Sequence, residues 1–269
     1  SEARLDNNGS NDLYAVWEAS DVNYKVEFYY QNVDSTYPDK AKDEDIVTRQ
    51  GKTDSTVSVT DVDKADKENG KYVYDESYNG NIERGTVAAN GSLVLKLYFK
   101  LNRASCTVRY LWNDTNEKVA EDKVVPDMTV SQTCTESPII VDGCTPVSSD
   151  SKSVTIVPDS SKNVITFYYY KNVTLTANSD TLEYNGFEQS VEGFTATPEG
   201  ADFSAITVGA KGTDAGVYPA EFADGTVGTV DATRKYIVTK ANNGSLTITA
   251  KAAVITITAN SKTREYNGE

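Results

Sequence analysis

The run Asn90-Gly-Ser-Leu-Val-Leu-Lys-Leu-Tyr-Phe-Lys-Leu101 sets the fold class. Leu93, Leu95, Leu97, Phe99 and Leu101 take every second position without a break, which is the period of a strand with one face in a core. An Asn-Gly pair opens the run, and others stand at Asn8, Asn69, Asn79, Asn185, Asn243 and Asn267. Asn-Gly tolerates the positive φ of tight hairpins, so such pairs between alternating runs predict an antiparallel, mostly β protein of many short strands. Upstream, Tyr24-Lys-Val-Glu-Phe-Tyr-Tyr30 places Tyr24, Val26, Phe28 and Tyr30 on one face, and Lys71-Tyr-Val-Tyr74 is a second short strand. Downstream, Cys106-Thr-Val-Arg-Tyr-Leu-Trp112 and Asn163-Val-Ile-Thr-Phe-Tyr-Tyr-Tyr170 repeat the plan of an opening and a closing strand. Leu13-Tyr-Ala-Val-Trp-Glu18 reads as the last strand of a preceding unit.

A second signal gives the domain plan. Thr174-Leu-Thr-Ala-Asn-Ser-Asp-Thr-Leu-Glu-Tyr-Asn-Gly186 returns as Thr256-Ile-Thr-Ala-Asn-Ser-Lys-Thr-Arg-Glu-Tyr-Asn-Gly268, 82 residues later. Solenoid units of roughly 20–50 residues cannot bury a core alone, whereas this spacing suffices for a small self-sufficient domain. The sequence thus divides into the tail of one repeat (1–22), modules at 23–102, 103–172 and 173–253, and the truncated start of another repeat (254–269). It reads as an excerpt from a longer tandem array, in which the lack of a signal peptide at Ser1 and of a sorting signal at Glu269 says nothing. Each module would be about 30 Å across. Only Ala250 to Ala253 separate the third module from the next repeat, too few for a flexible tether.

Composition excludes several functions. Forty acidic against twenty-six basic residues give a net charge of −14, which repels nucleic acid and anionic membrane surfaces. No apolar run is long enough to span a bilayer. With no histidine, the Ser-His-Asp and Cys-His mechanisms and His-containing zinc sites are ruled out. Carboxylates are plentiful, but small β modules in series offer little depth for a glycosidase cleft, so neither an enzyme nor a cofactor is expected. The cluster Asp61-Val-Asp-Lys-Ala-Asp-Lys-Glu68 has Ala65 at the third ligand position of an EF-hand-like spacing and two interleaved lysines. It predicts a solvated loop and no metal. Tyrosines such as Tyr29, Tyr30 and Tyr168 to Tyr170 serve cross-strand packing in the plainer reading. Outward members could stack on sugars, and Tyr168 and Tyr170 are the candidates for glycan stacking.

Residues 23–102 and 103–172 resemble the MucBP-like and internalin-B-repeat-like modules of Gram-positive surface proteins. The resemblance rests on the opening strands Val26 to Tyr29 and Val108 to Trp112, on Gly70 near Tyr72, and on the closing strands V-L-K-L-Y-F and V-I-T-F-Y-Y. Residues 173–253 resemble MBG-type repeats through Ala177 to Gly186, Gly212 to Tyr218 and Tyr236 to Ile248. These resemblances imply tandem, β-grasp-like domains arranged end to end in a monomeric, extracellular, cell-wall-attached adhesin or stalk. Two readings stay open: a spacer for a distal adhesive region, or direct host glycan or mucin binding by 103–172. In the resembling modules the positions of Cys134 and Cys144 are often aromatic, which implies that these thiols replace side chains that meet in the core and form a disulfide. Such a bond would close a loop of about eleven residues and contribute roughly 2.5–3 kcal/mol on the chain-entropy model. Cys106 is an equally legal partner, and three buried thiols are the plainer alternative.

Overall fold

A computed structural model describes residues 18–268; the expected strand Leu13 to Glu18 lies almost wholly outside them. The described residues are nearly all strand, turn and loop, with several small sheets. In chain order the strands are β1 (Asp21–Tyr30), β2 (Ile46–Lys52), β3 (Thr56–Ser58), β4 (Tyr72–Tyr74), β5 (Arg84–Thr86), β6 (Val94–Leu101), β7 (Arg103–Trp112), β8 (Lys118–Thr129), β9 (Thr133–Glu136) and β10 (Cys144–Pro146). They continue with β11 (Lys152–Thr155), β12 (Val164–Ala177), β13 (Asp180–Glu183), β14 (Gln189–Glu192), β15 (Phe194–Thr197), β16 (Gly209–Gly212), β17 (Gly216–Ala220), β18 (Tyr236–Asn242) and β19 (Gly244–Thr249). The one α-helix among the described residues, α1, spans Asp61–Lys64. Two compact units form: one takes the chain up to Tyr110 with Ala120–Ile139 and Ser148–Phe167, the other Leu111–Val119, Ile140–Val147 and the chain from Tyr168 onward.

In the first unit a four-stranded sheet has the order β2-β1-β6-β4. β1 runs parallel to β6, with Lys25 opposite Val94 and Tyr30 opposite Phe99, while β2 and β4 are antiparallel edges. The expected alternation of β6 holds: Leu95, Leu97, Phe99 and Leu101 are buried, and Leu93 packs against the same core. That core is completed by Tyr24, Val26 and Phe28 of β1 and by Val87. The acidic cluster is a solvated loop only in part: Asp61, Asp66 and Glu68 are exposed, but Asp63 is not. Thr60 caps α1 in a capping box with Asp63, and Asp63 turns inward, 5% exposed, onto the Arg49 guanidinium (Nη1 to Oδ2, 2.9 Å). A loop would have left both charges in water; the cap and the ion pair give the buried carboxylate its partners.

A single residue, Asn102, separates β6 from β7, and its polar groups are engaged. Its backbone N–H donates to the Lys71 carbonyl (2.8 Å), its side-chain amide donates to the Gly70 carbonyl (2.8 Å), and its own carbonyl accepts from Val130 N–H (2.8 Å). Beyond it, Ala104, Cys106, Val108 and Tyr110 of β7 are buried, and the Tyr110 and Phe167 rings stack with centroids 6.2 Å apart. Asn163 is fully buried: its Oδ1 accepts from Val157 N–H (2.9 Å) and its Nδ2 donates to the Val157 and Ser105 carbonyls (2.9 and 3.2 Å).

In the second unit β12 pairs antiparallel with β10 and β15 and parallel with β18, with a bulge at Val173/Thr174. A three-stranded sheet, β13-β19-β17, and a β14-β16 ribbon accompany it. The buried residues gather around Val173, Leu175, Phe203 and Val238 and around Ala177, Val208, Ala210, Ala220, Leu246 and Ile248. The two copies of the internal repeat share a glycine conformation but not a strand. Gly186 and Gly268 both take positive φ, 82° and 75°, after their asparagines. However, β13 of the first copy is held by parallel pairing with β19, whereas residues 256–268 form no strand and Ile257 and Tyr266 are about nine-tenths exposed. A strand half without its partner strand has nowhere to place its backbone hydrogen bonds except water.

Candidate functional site

In a half-buried strand Tyr29 and Tyr98 would point to solvent, since each stands between core residues of β1 and β6. Instead the second face of the sheet carries an aromatic layer. Tyr29 and Tyr98 lie opposite one another across the parallel pair, and their rings stack 4.4 Å apart at 14°. Two loop tyrosines close over them. Tyr37, from the segment after β1, meets Tyr98 edge-on at 5.0 Å, and Tyr78, from the turn after β4, lies 4.4 Å from Tyr98 and 4.6 Å from Tyr37. Tyr29 is thereby only 3% exposed, while Tyr78 keeps 38% of its surface in solvent. Gly80 allows this approach: a Cβ there would fall 2.5 Å from Tyr78 Cε1 and 3.0 Å from Tyr98 Cε2.

Polar groups hold the layer in place. The Asp75 carboxylate accepts hydrogen bonds from the Tyr37 hydroxyl (3.0 Å), Ser77 Oγ (2.9 Å) and Lys100 Nζ (3.2 Å). Burial pushes this carboxyl up, but the bonds from Ser77, Lys100 and Tyr37 outweigh it and hold the group below its ordinary value. Asn81 donates to the Asp75 and Tyr78 carbonyls and accepts from Tyr98 N–H (2.8, 3.0 and 2.9 Å). The Tyr29 hydroxyl donates to Glu27 (2.7 Å), and burial, followed by that bond, raises its pKa well above the ordinary value. The layer thus has its hydroxyl and carboxylate groups tied to one another. What it offers is a fixed aromatic face, an exposed ring and a rim of hydroxyl, amide and carboxylate groups. Aromatic rings combined with a few fixed polar groups suit a sugar, whose C–H face stacks and whose hydroxyls hydrogen-bond.

The residues expected from sequence lie elsewhere. Tyr170 is 6% exposed, with Thr145 of β10 opposite it, so its ring has no face for a sugar; Tyr168 is half-buried. Strand alternation fails there because Tyr169 and Tyr170 are both buried. Cys106, Cys134 and Cys144 are all buried and all free. Cys144 Sγ donates to the Val141 carbonyl at 3.5 Å. Among the described residues no three His, Cys, Asp or Glu side chains are grouped to hold a metal ion, and no helix is long and apolar enough to cross a membrane. The second unit has an open groove bounded by Glu192, Ile206, Thr207, Val208, Lys211 and Glu221. Tyr37, Tyr78 and Tyr98 were not singled out by sequence. The one available signal was Tyr98, an aromatic on the lysine-bearing face of β6 between Lys96 and Lys100.

No protein-family model matches the chain, and no curated protein is similar to it in sequence. Among solved structures the chain is similar to Mub-RV, at 17% identity and a TM-score of 0.21, over 56% of this chain and 98% of that one. It is also similar to the type 2 repeat of the mucus binding protein MUB from Lactobacillus reuteri, at 16% identity and a TM-score of 0.20, over 56% of this chain and 99% of that one. Similarity to the Bacillus anthracis TIE protein covers 86% of this chain and 50% of that one, at 10% identity and a TM-score of 0.36.

Proposed function

We propose that the chain is an extracellular segment of a bacterial cell-surface adhesin, carried on a cell-wall-attached protein, whose serial β modules space a distal binding region rather than catalyse a reaction. One observation carries this reading: the junction between β6 and β7 is a single residue, Asn102, bonded to the chain on both sides of it. A spacer needs junctions that do not swivel, and a one-residue connection without Gly, Ser or Pro slack supplies one. The parallel β1/β6 centre with antiparallel edges supports the β-grasp-like reading of residues 23–102. Spin labels on β2 and β8 test the junction by pulsed electron resonance. A narrow single distance is expected, and a broad distribution would remove the basis of the spacer.

The tyrosine layer favours a second reading, direct binding of a host glycan or mucin, and moves the candidate surface from 103–172 to 23–102. A glycan and mucin screen of the whole chain beside Tyr78→Ala tests it. Loss of binding with unchanged far-ultraviolet circular dichroism supports the surface, whereas binding that survives the substitution, or no binding at all, leaves only the spacer role.

A further inference from the structure

We infer that the modules at 23–102 and 173–253 are built to carry tension along the chain, because in each the entering strand and the leaving strand lie side by side and parallel. In the first unit the module begins with β1 and ends with β6, the two central strands of the sheet β2-β1-β6-β4. Six residue pairs join them, from Lys25 opposite Val94 to Tyr30 opposite Phe99. The pairing is closed at its two ends by Lys25 N–H to the Leu93 carbonyl (3.0 Å) and Gln31 N–H to the Phe99 carbonyl (2.9 Å). Gln31 Oε1 also accepts from Leu101 N–H at 3.1 Å. Pulling at Asp21 and Leu101 draws the parallel strands along their axes in opposite directions, so the hydrogen bonds between them are strained together and not one after another. The stacked Tyr29 and Tyr98 rings, 4.4 Å apart across the same pair, must part before the strands can slide.

The second unit has the same geometry over a longer path. The entering chain passes from the end of β12 into β13, and the leaving chain from β18 into β19, with only Asn243 between the last two. β12 is parallel to β18 from Lys171 opposite Tyr236 to Thr176 opposite Asn242, and β13 is parallel to β19 from Asp180 opposite Leu246 to Glu183 opposite Thr249. Ser245 N–H to Ser179 Oγ (3.0 Å) bridges the step between the two pairings. Lys171 N–H to the Lys235 carbonyl and Tyr184 N–H to the Thr249 carbonyl, both 2.9 Å, close the ends. β19 is braced on its other side by antiparallel β17. That tension runs along the chain rests on the reading of a tethered surface spacer; the response to tension belongs to the strand pairing alone.

The test holds single molecules of the whole chain by pairs of exposed residues replaced with an azide-bearing amino acid. In the first unit Asp21 with Arg103 grips β1 and β6 at opposite ends, and Asp21 with Ser92 grips them at the same end. In the second, Asp180 with Thr249 grips β13 and β19 at opposite ends, and Glu183 with Thr249 at the same end. Opposite-end loading should need at least about three times the rupture force of same-end loading, since several residue pairs resist at once in one case and one pair at a time in the other. The dependence of opposite-end force on loading rate should give a distance to rupture of about 3 Å, one residue step along a strand. Tags at the two ends of the unsubstituted chain apply the same opposite-end loading without any replaced residue. Equal forces in the two geometries, or end-tag ruptures at or below the same-end force, would overturn the inference and leave the spacer reading in place. A broad spin-label distance across Asn102 would instead remove the spacer and leave the force ratio standing.

Discussion

Asp63→Asn isolates the charge of one buried carboxylate while keeping its size. In the folded chain Asp63 is 5% exposed and bonded to Arg49, Thr60 N–H (2.7 Å) and Thr60 Oγ1 (2.9 Å). Its pKa is lowered from 3.8 to about 2, first by the Arg49 hydrogen bond, which together with the Thr60 bonds overcomes the opposing effect of burial. That gap corresponds to about 2 kcal/mol of folding stability. The native carboxylate binds its proton less readily than the unfolded one, so the contribution is fully present above about pH 4 and is lost as the pH falls towards 2. Loss of the negative charge also leaves Arg49 without its ion-pair partner. Arg49 is 29% exposed and can regain water, so the cost should stay near 2–3 kcal/mol and below that of breaking a fully buried pair. Hydrogen exchange read on peptides from β1 and β2 reports this unit apart from the rest of the chain. The wild type should exceed Asp63→Asn by about 2 kcal/mol at pH 7, and the difference should shrink towards zero near pH 2. A difference under about 0.5 kcal/mol at pH 7, or one that does not change on acidification, would refute the account.

Gly80→Ala drives a methyl group into the Tyr78 ring, 2.5 Å from Cε1; the ring should swing outward at a cost of about 1 kcal/mol, seen as a shifted tyrosine ring resonance by NMR. At Gly244 the obstruction is backbone, with the Asn178 and Ala177 carbonyl oxygens 2.3 and 2.8 Å from a built Cβ. Gly244→Ala should therefore destabilise the β18–β19 region by more than about 2 kcal/mol in urea unfolding, and wild-type stability would show that the strands can part there. Asn163→Ala strips the Val157 N–H and the Val157 and Ser105 carbonyls of their side-chain partner; a loss of about 2–4 kcal/mol is expected by the same method.

The sequence made the core face of the β2-β1-β6-β4 sheet legible because period-two alternation is a local property. Leu95, Leu97 and Phe99 needed only their own spacing to be placed, and so did Tyr24, Val26 and Phe28. The aromatic layer was illegible for the complementary reason. Tyr29 and Tyr98 occupy positions that alternation assigns to solvent, and what covers them is Tyr37 and Tyr78, which stand in loops with no period of their own. Asp63 misled in the same way: among neighbouring charges it reads as solvated, and only the placement of Arg49 fourteen positions earlier makes it a buried pair.

The cysteines and tyrosines together show which kind of inference such a chain permits. The resemblance to adhesin modules suggested which thiols lie in a core, and all three do, but pairing is a matter of which strands face each other. β9 is a four-residue strand whose antiparallel partner, β11, starts nineteen positions after it does, so no short-range signal reveals the pairing that places Cys134 opposite Val154. The rim of the tyrosine layer is likewise made by turns, Asp75 to Asn81 above all, held by Asn81 and the Asp75 carboxylate. In tandem β modules the alternating strands repeat because the scaffold repeats, whereas the turns between them are free to differ. A ligand surface unique to one module is therefore to be sought in its turns, and the Tyr37 and Tyr78 loops are where this chain departs furthest from what its strands require.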